Sequence, residues 1–294
     1  VTGDNVLIEK ITFRNFNFAS HGGAILWIGN NGILKNCNIN KNTANNGGGI
    51  DWQGANGNLI NCNFTNNNAF SNRYGGGGIY LNGTNGTIIN SIFMNNEAYN
   101  MGAGVYWGGA NGTITSSTFI SNTARTNGGG VYWRGANGNL TDSSFIDNKS
   151  KYAAGGVYWA EKNGSLNDCY FTNNTAGTSG GAIYWHSIST NGSLNDCYFT
   201  NNTAGTSGGA IYWAEKTSSI INCTFNNKWV KSNGIYANTN LNINGGKGIV
   251  DIVTSNIISG TSIVVLNNET YYYPPNTNIN FKEKIISKKI GFIK

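Results

Sequence analysis

Apolar residues in this chain fall into columns. Trp27, Trp52, Leu81, Trp107, Trp133, Trp159, Trp185 and Trp213 form one, and the four steps from Leu81 to Trp185 are each 26 residues. Two positions upstream stand Ile25, Ile50, Ile79, Val105, Val131, Val157, Ile183 and Ile211. A recurrent Asn-Gly pair sets the phase of the rest. Three residues after its Asn come Leu34, Leu59, Ile88, Ile114, Leu140, Leu166, Leu194 and Ile220. Six after it come Cys37, Cys62, Ser91, Ser117, Ser143, Cys169, Cys197 and Cys223, and eight after it Ile39, Phe64, Phe93, Phe119, Phe145, Phe171, Phe199 and Phe225. In the last copy Thr217 stands in place of the Asn.

Positions six and eight share one face of an alternating strand. Positions three and six differ by an odd number, so the chain must bend between them to point both inward. Asn36, Asn61, Asn90, Ser116, Asp142, Asp168, Asp196 and Asn222 occupy that bend, and Asn and Asp tolerate left-handed backbone at a tight corner. The repeat thus predicts three short strands: one around Ile-Tyr-Trp, one around Asn-Gly-x-Leu and one around Cys-x-Phe. A single coil cannot bury its apolar residues. Stacking like on like at about 4.8 Å per coil does. Corner asparagines can then bond amide to amide along the axis. A leucine-rich solenoid would need a helical segment, which Gly, Asn, Thr and β-branched residues disfavour. The predicted fold is all-β, a single-stranded parallel β-helix of about eight to ten coils of ~26 residues.

One segment recurs unchanged: Gly164–Trp185 and Gly192–Trp213 are identical, offset by 28 residues. The repeats span 1–237. Residues 1–19, with Ile11, Phe13, Phe16 and Phe18, are expected to form an irregular first coil. In 238–294 the runs Gly248–Ile258, Thr261–Leu266 and Glu269–Tyr273 suggest further coils with a cap, or the start of a following module.

Two motifs recur in register. Gly-Gly-Ala-Ile stands at Gly22–Ile25, Gly180–Ile183 and Gly208–Ile211. Phe-x-x-Asn stands at Phe64–Asn67, Phe93–Asn96, Phe119–Asn122, Phe145–Asn148, Phe171–Asn174 and Phe199–Asn202. Together they resemble the repeat of chlamydial polymorphic outer membrane proteins. The Asn-rich style resembles adhesin-like surface proteins of methanogenic archaea. The resemblance covers roughly residues 20 to 237, with Gly102-Ala103-Gly104 and Ile39 as departures. It implies a right-handed, surface-displayed β-helix that acts in attachment, and brings no catalytic residues.

Composition narrows the function. Only 11% of residues are charged, so solubility rests on Asn, Thr, Ser and Gly. The net charge of +6 comes with no basic cluster before Lys282–Lys294, which disfavours nucleic acid. No run of about 18 apolar residues predicts a membrane span. Val1–Lys10 has neither a charged n-region nor an apolar h-region, so no signal peptide is expected. The chain is expected to be an extracellular, cell-surface, monomeric piece of a larger architecture.

Candidate chemistry is sparse. The five cysteines share one inward column with serines, which predicts buried thiols rather than disulfides. His21 and His186 lie outside that column, so zinc is not expected. Asp142, Asp168 and Asp196 stack on consecutive coils, either as solvated corners or as a calcium site. Otherwise no cofactor is expected. Glu161-Lys162, repeated as Glu215-Lys216, suggests exposed ion pairs. Asn-x-Ser/Thr sequons such as Asn63, Asn148 and Asn268 abound in so Asn-rich a chain. A polysaccharide lyase or glycosidase would need convergent carboxylates that break the repeat, and none is evident. The chain is therefore expected not to be an enzyme. Tyr80, Tyr106, Tyr132, Tyr158, Tyr184 and Tyr212 precede the Trp column by one residue, so they point outward. They either form an exposed stripe on which sugar rings stack, or stabilise one another. The reading that follows is a non-enzymatic adhesin binding a cell-surface glycan or protein through a lateral face. The alternatives are a passive stalk and a β-helix carbohydrate-active lyase or hydrolase.

Overall fold

The computed structural model describes residues 1–186, 190–214, 218–226 and 234–237, and beyond them the strands Leu241–Asn244, Lys247–Thr254, Ile258–Ser259, Ile263–Leu266, Glu269–Tyr272 and Lys288–Phe292. Each repeat folds as one coil. A representative coil comprises Val105–Trp107, Thr113–Thr115, Thr118–Ile120 and Thr123–Ala124, hereafter the Trp, Leu, Phe and Ala strands. The first three fall where the columns predict. The fourth escapes the pattern because it spans two residues and buries a single alanine. Every strand sits in parallel register on its counterpart in the next coil, as in Tyr106↔Tyr132, Ile114↔Leu140, Phe119↔Phe145 and Ala124↔Ser150. No helix is present among the described residues.

Four corners close each coil, and all use left-handed backbone. The predicted bend does so from Asn36 (φ 53°) to Asn222 (φ 51°). Two more corners carry Asn in the same conformation, for instance Asn111 and Asn95, and the fourth uses the first glycine of Gly-Gly-Ala-Ile. There Ala154 takes φ 60° in a column otherwise filled by seven glycines.

In residues 1–19, Leu7–Glu9 pairs Ile33–Lys35 and Thr12–Arg14 pairs Asn38–Asn40 residue for residue, and Asn17–His21 pairs Thr43–Asn46 with a register shift between Phe18 and His21. Parallel pairing continues through Ile258–Ser259, after which Ile263–Leu266, Glu269–Tyr272 and Lys288–Phe292 pair antiparallel. Pro274, Pro275 and residues 281–287 lie outside the described residues.

The core is a set of axial stacks. Indoles stack at 4.2 Å between Trp27 and Trp52, and at 4.6 Å between Trp107 and Trp133, with ring planes within 4°. Phenyls stack at 4.7 Å between Phe119 and Phe145. Full burial of each such side chain is worth about 1.5–3 kcal/mol. The Asn-Gly glycine is fixed by the indole: a Cβ on Gly112 would lie 2.3 Å from the Trp107 ring. Where Leu81 replaces Trp, the corresponding Gly86 has 3.2 Å to the nearest atom.

The Asn of Phe-x-x-Asn builds the strongest polar element. Asn42, Asn67, Asn96, Asn122, Asn148, Asn174 and Asn202 are fully or almost fully buried. Each of the first six donates its Nδ2 to the next residue's Oδ1 at 2.9–3.0 Å. The same amides cap carbonyls one coil back in the Phe column, as Asn122 does at Phe93 O. A second ladder of exposed corner asparagines runs from Asn31 to Asn191. The five cysteines are free and buried. Their thiols point at carbonyls, as Cys169 Sγ does at Asn167 O, 3.1 Å away. Ser91, Ser117 and Ser143 donate likewise and also accept a backbone N–H from the preceding coil.

Candidate lateral binding site

The tyrosine column does point away from the indoles, and its rings stack at 4.7–5.3 Å along the axis. It is not an exposed stripe. Tyr80, Tyr106 and Tyr158 are 8%, 2% and 8% exposed, and Tyr132, Tyr184 and Tyr212 are half-buried. Strand alternation predicts direction but not cover, and loops from neighbouring corners fold over the row. Tyr74 packs on Tyr80 and Tyr106 at 5.7 and 5.9 Å. Ala153, Ala154 and Ala160 pack on Tyr158, His186 lies 6.0 Å from it, and Arg134 hydrogen-bonds the Tyr106 hydroxyl. Burial pushes the Tyr132 hydroxyl up to about 12 and raises those of Tyr80, Tyr106, Tyr158 and Tyr184.

Asp51 occupies the same column, beside Tyr80, and is fully buried. Its Oδ2 lies 2.6 Å from His21 Nδ1, and Gln53 donates to its Oδ1. Burial raises the Asp51 carboxyl, and the His21 and Gln53 contacts offset part of that rise.

On the other side of the covering loops, beyond the Ala strands, lies an open cleft. It consists of three adjoining depressions of about 430, 300 and 510 Å³. They share Phe70, Tyr99, Thr123 and Arg125 as common walls. The cleft follows the position after the buried alanine. Phe70, Tyr99, Arg125 and Lys151 stand there in successive coils, each backbone N–H bonded one coil back. Phe70, Tyr99 and Tyr152 are 42%, 49% and 45% exposed. The Arg125 guanidinium lies 5.0 Å from the Tyr99 ring centre, and Lys151 Nζ 5.2 Å from that of Tyr152. Thr123, Thr126 and Asn72 add hydroxyl and amide groups to the walls. The tyrosine row braces this wall from behind through Tyr74, Ala153 and Ala154. The sequence signal for the cleft is a column where coils differ: Asn45, Phe70, Tyr99, Arg125, Lys151, Gly177 and Gly205.

Asp142, Asp168 and Asp196 sit at exposed corners, and Asp142 accepts a hydrogen bond from Ser116. Among the described residues no three His, Cys, Asp or Glu side chains converge to hold a metal. Ion pairs among them are Lys10–Glu9, Lys35–Glu9 and His21–Asp51. Glu161 and Lys162 do not pair, and Glu215-Lys216 lies outside the described residues, as does the sequon at Asn268. The sequon Asn148 is buried in the ladder. Among the described residues no helix is long and apolar enough to cross a membrane.

Comparison with known proteins places this geometry. The right-handed β-helix region family matches residues 1–154, and the chain belongs to that family. Residues 168–184 and 196–212 match the Chlamydia polymorphic membrane protein repeat; each segment runs from a corner aspartate through a Gly-Gly-Ala-Ile motif to its tyrosine. Among solved structures the chain is similar to PfbA, a surface adhesin of Streptococcus pneumoniae, at 13% identity. That match covers 94% of this chain and 79% of that one, with a TM-score of 0.41. No curated protein matches.

Proposed function

We propose that the chain is a non-enzymatic, adhesin-like protein of the cell surface that binds glycan through the cleft of Phe70, Tyr99 and Tyr152. The observation that carries this reading is three large aromatic side chains left 42–49% exposed on one lateral wall. Elsewhere in the solenoid the Trp and Phe columns are fully buried. Aromatic faces beside hydroxyl and amide groups suit the C–H faces and hydroxyls of sugars. The dispersion of the carboxylates over separate corners supports binding without catalysis, since glycoside cleavage uses a pair of facing acids. The two polymorphic membrane protein repeats support display at a surface.

The test is a glycan-array screen of the purified chain beside two variants. One carries Tyr99→Ser and Tyr152→Ser, the other Tyr132→Ser, Tyr158→Ser and Tyr184→Ser, each checked for fold by circular dichroism. Binding is expected for the parent and lost in the first variant. Loss only in the second would move the site to the tyrosine row. Absence of binding in all three would leave a passive stalk.

A further inference from the structure

We infer that the cleft selects an acidic polysaccharide, laid along the solenoid axis with successive sugars facing successive coils. This rests on the glycan-binding reading above and adds its ligand class. The argument begins with cations that lack counter-charges. Arg125, Lys149 and Lys151 line the widest part of the cleft, and among the described residues no carboxylate pairs with any of them. Two of them instead lie over tyrosine rings. A cation held over an aromatic face keeps its remaining N–H donors free for an anion. The one carboxylate on the cleft wall is Glu97, beside Tyr99 and Phe70 in the narrower section. His21 stands at the far end. The charge balance of the walls is therefore positive at the Lys151 end in a coil region otherwise near neutral.

Spacing supplies the second strand of the argument. Phe70, Tyr99, Arg125 and Lys151 belong to one column, so they recur at about 4.8 Å along the axis. A pyranose chain advances by a comparable distance per sugar. Two aromatic platforms followed by two cations match a chain that stacks its ring faces and carries an acid group on successive rings. The column ends at Gly177 and Gly205, which offer neither, so the cleft accepts a segment of about four or five sugars.

Other polyanions fit less well. A peptide captured by strand addition needs an unpaired sheet edge, whereas the backbone here is bonded to the coils above and below. Nucleic acid needs an extended basic surface, whereas the cleft offers three cations, Arg125, Lys149 and Lys151.

The experiment is titration calorimetry of the full chain with pentamers of galacturonate and of mannuronate, each beside its neutral methyl ester, with poly-glutamate as a non-sugar polyanion. At least one acidic pentamer is expected to bind about tenfold or more tighter than its ester, and to weaken as salt rises. Arg125→Gln with Lys151→Gln should erase that preference while retaining ester binding, and Tyr99→Ser should weaken both. Equal binding of acid and ester by the parent would overturn the acidic class and leave glycan binding standing. Failure of every sugar would overturn both. Poly-glutamate binding as tight as the acidic sugar, or acid binding untouched by the double variant, would overturn this assignment.

Discussion

Replacing Asn122 by alanine tests whether the buried amide ladder holds the coils together. Asn122 Oδ1 accepts from the backbone N and from Nδ2 of Asn96, both at 3.0 Å. Its Nδ2 donates to Asn148 Oδ1 and Phe93 O, both at 2.9 Å. Truncation leaves Asn148 Oδ1 satisfied, because the residue 122 backbone N still donates to it. It orphans two donors, Asn96 N–H and one Asn96 Nδ2–H, and removes the side-chain bond to Phe93 C=O, which stays in the strand ladder. At about 1–3 kcal/mol for each buried group left unpaired, the sum is about 2–6 kcal/mol. Water entering the vacated space recovers part of this, so the expected loss is about 3 kcal/mol. The comparator is Asn63→Ala, which removes a single exposed bond to Asn38 and should cost less than about 1 kcal/mol. Urea unfolding of the three proteins gives the difference, and hydrogen exchange at Asn96 and its neighbours localises it, since a solenoid loosens between adjacent coils first. Losses for Asn122→Ala and Asn63→Ala within about 1 kcal/mol of each other would refute the assignment of stability to the ladder.

Two further predictions use contrasts built into the chain. Gly112→Ala would drive a Cβ to 2.3 Å from the Trp107 indole, whereas Gly86→Ala meets only the tips of Leu81 and Trp107 at 3.2–3.3 Å. The first should cost about 1–3 kcal/mol by overpacking and disturb the indole signal in near-ultraviolet circular dichroism, and the second less than about 1 kcal/mol; equal effects would show that the indole does not dictate the glycine. In alkali, unfolded tyrosine loses its proton near about 10, but burial holds the Tyr132 proton to about 12. The folded state then binds more protons than the unfolded one, so stability falls as pH rises from about 10 through about 12. Phenolate absorbance at 295 nm from the buried row should appear only together with loss of circular dichroism, and its appearance in the folded protein near pH 10 would contradict the burial of the row.

The parts of the fold legible in sequence were those where one residue type must recur to be buried. Trp, Leu and Phe columns give strand position, facing and the bend between offsets three and six, because a stacked core tolerates little variation per coil. The Ala strand was not legible, since its one buried methyl leaves no hydrophobic signature. Asn122 and its equivalents were visible as a motif, but asparagine ordinarily signals surface or turn, and only stacking turns its amide into a buried bond. The tyrosine row shows the opposite limit. Its direction follows from alternation, while its cover depends on Tyr74, Ala153 and Ala154, corner positions whose residue type changes from coil to coil. Asp51 was hidden for the same reason: it replaces tyrosine in that column and is paired by His21 from the coil before. The cleft leaves no such signature, because it lies where the repeat varies from coil to coil.

The identical segments Gly164–Trp185 and Gly192–Trp213 carry one more consequence. Each coil bonds only to the coil on either side, and the two copies meet residue for residue. A recombination event that duplicates or deletes one such unit therefore yields another closed solenoid with every column still aligned. The coils bearing Phe70 to Tyr152 would be untouched by it. Gene-level slippage in this stretch thus lengthens or shortens the rod in increments of about 4.8 Å, so lineages can vary how far the cleft stands from the duplicated end while inheriting the cleft itself unchanged.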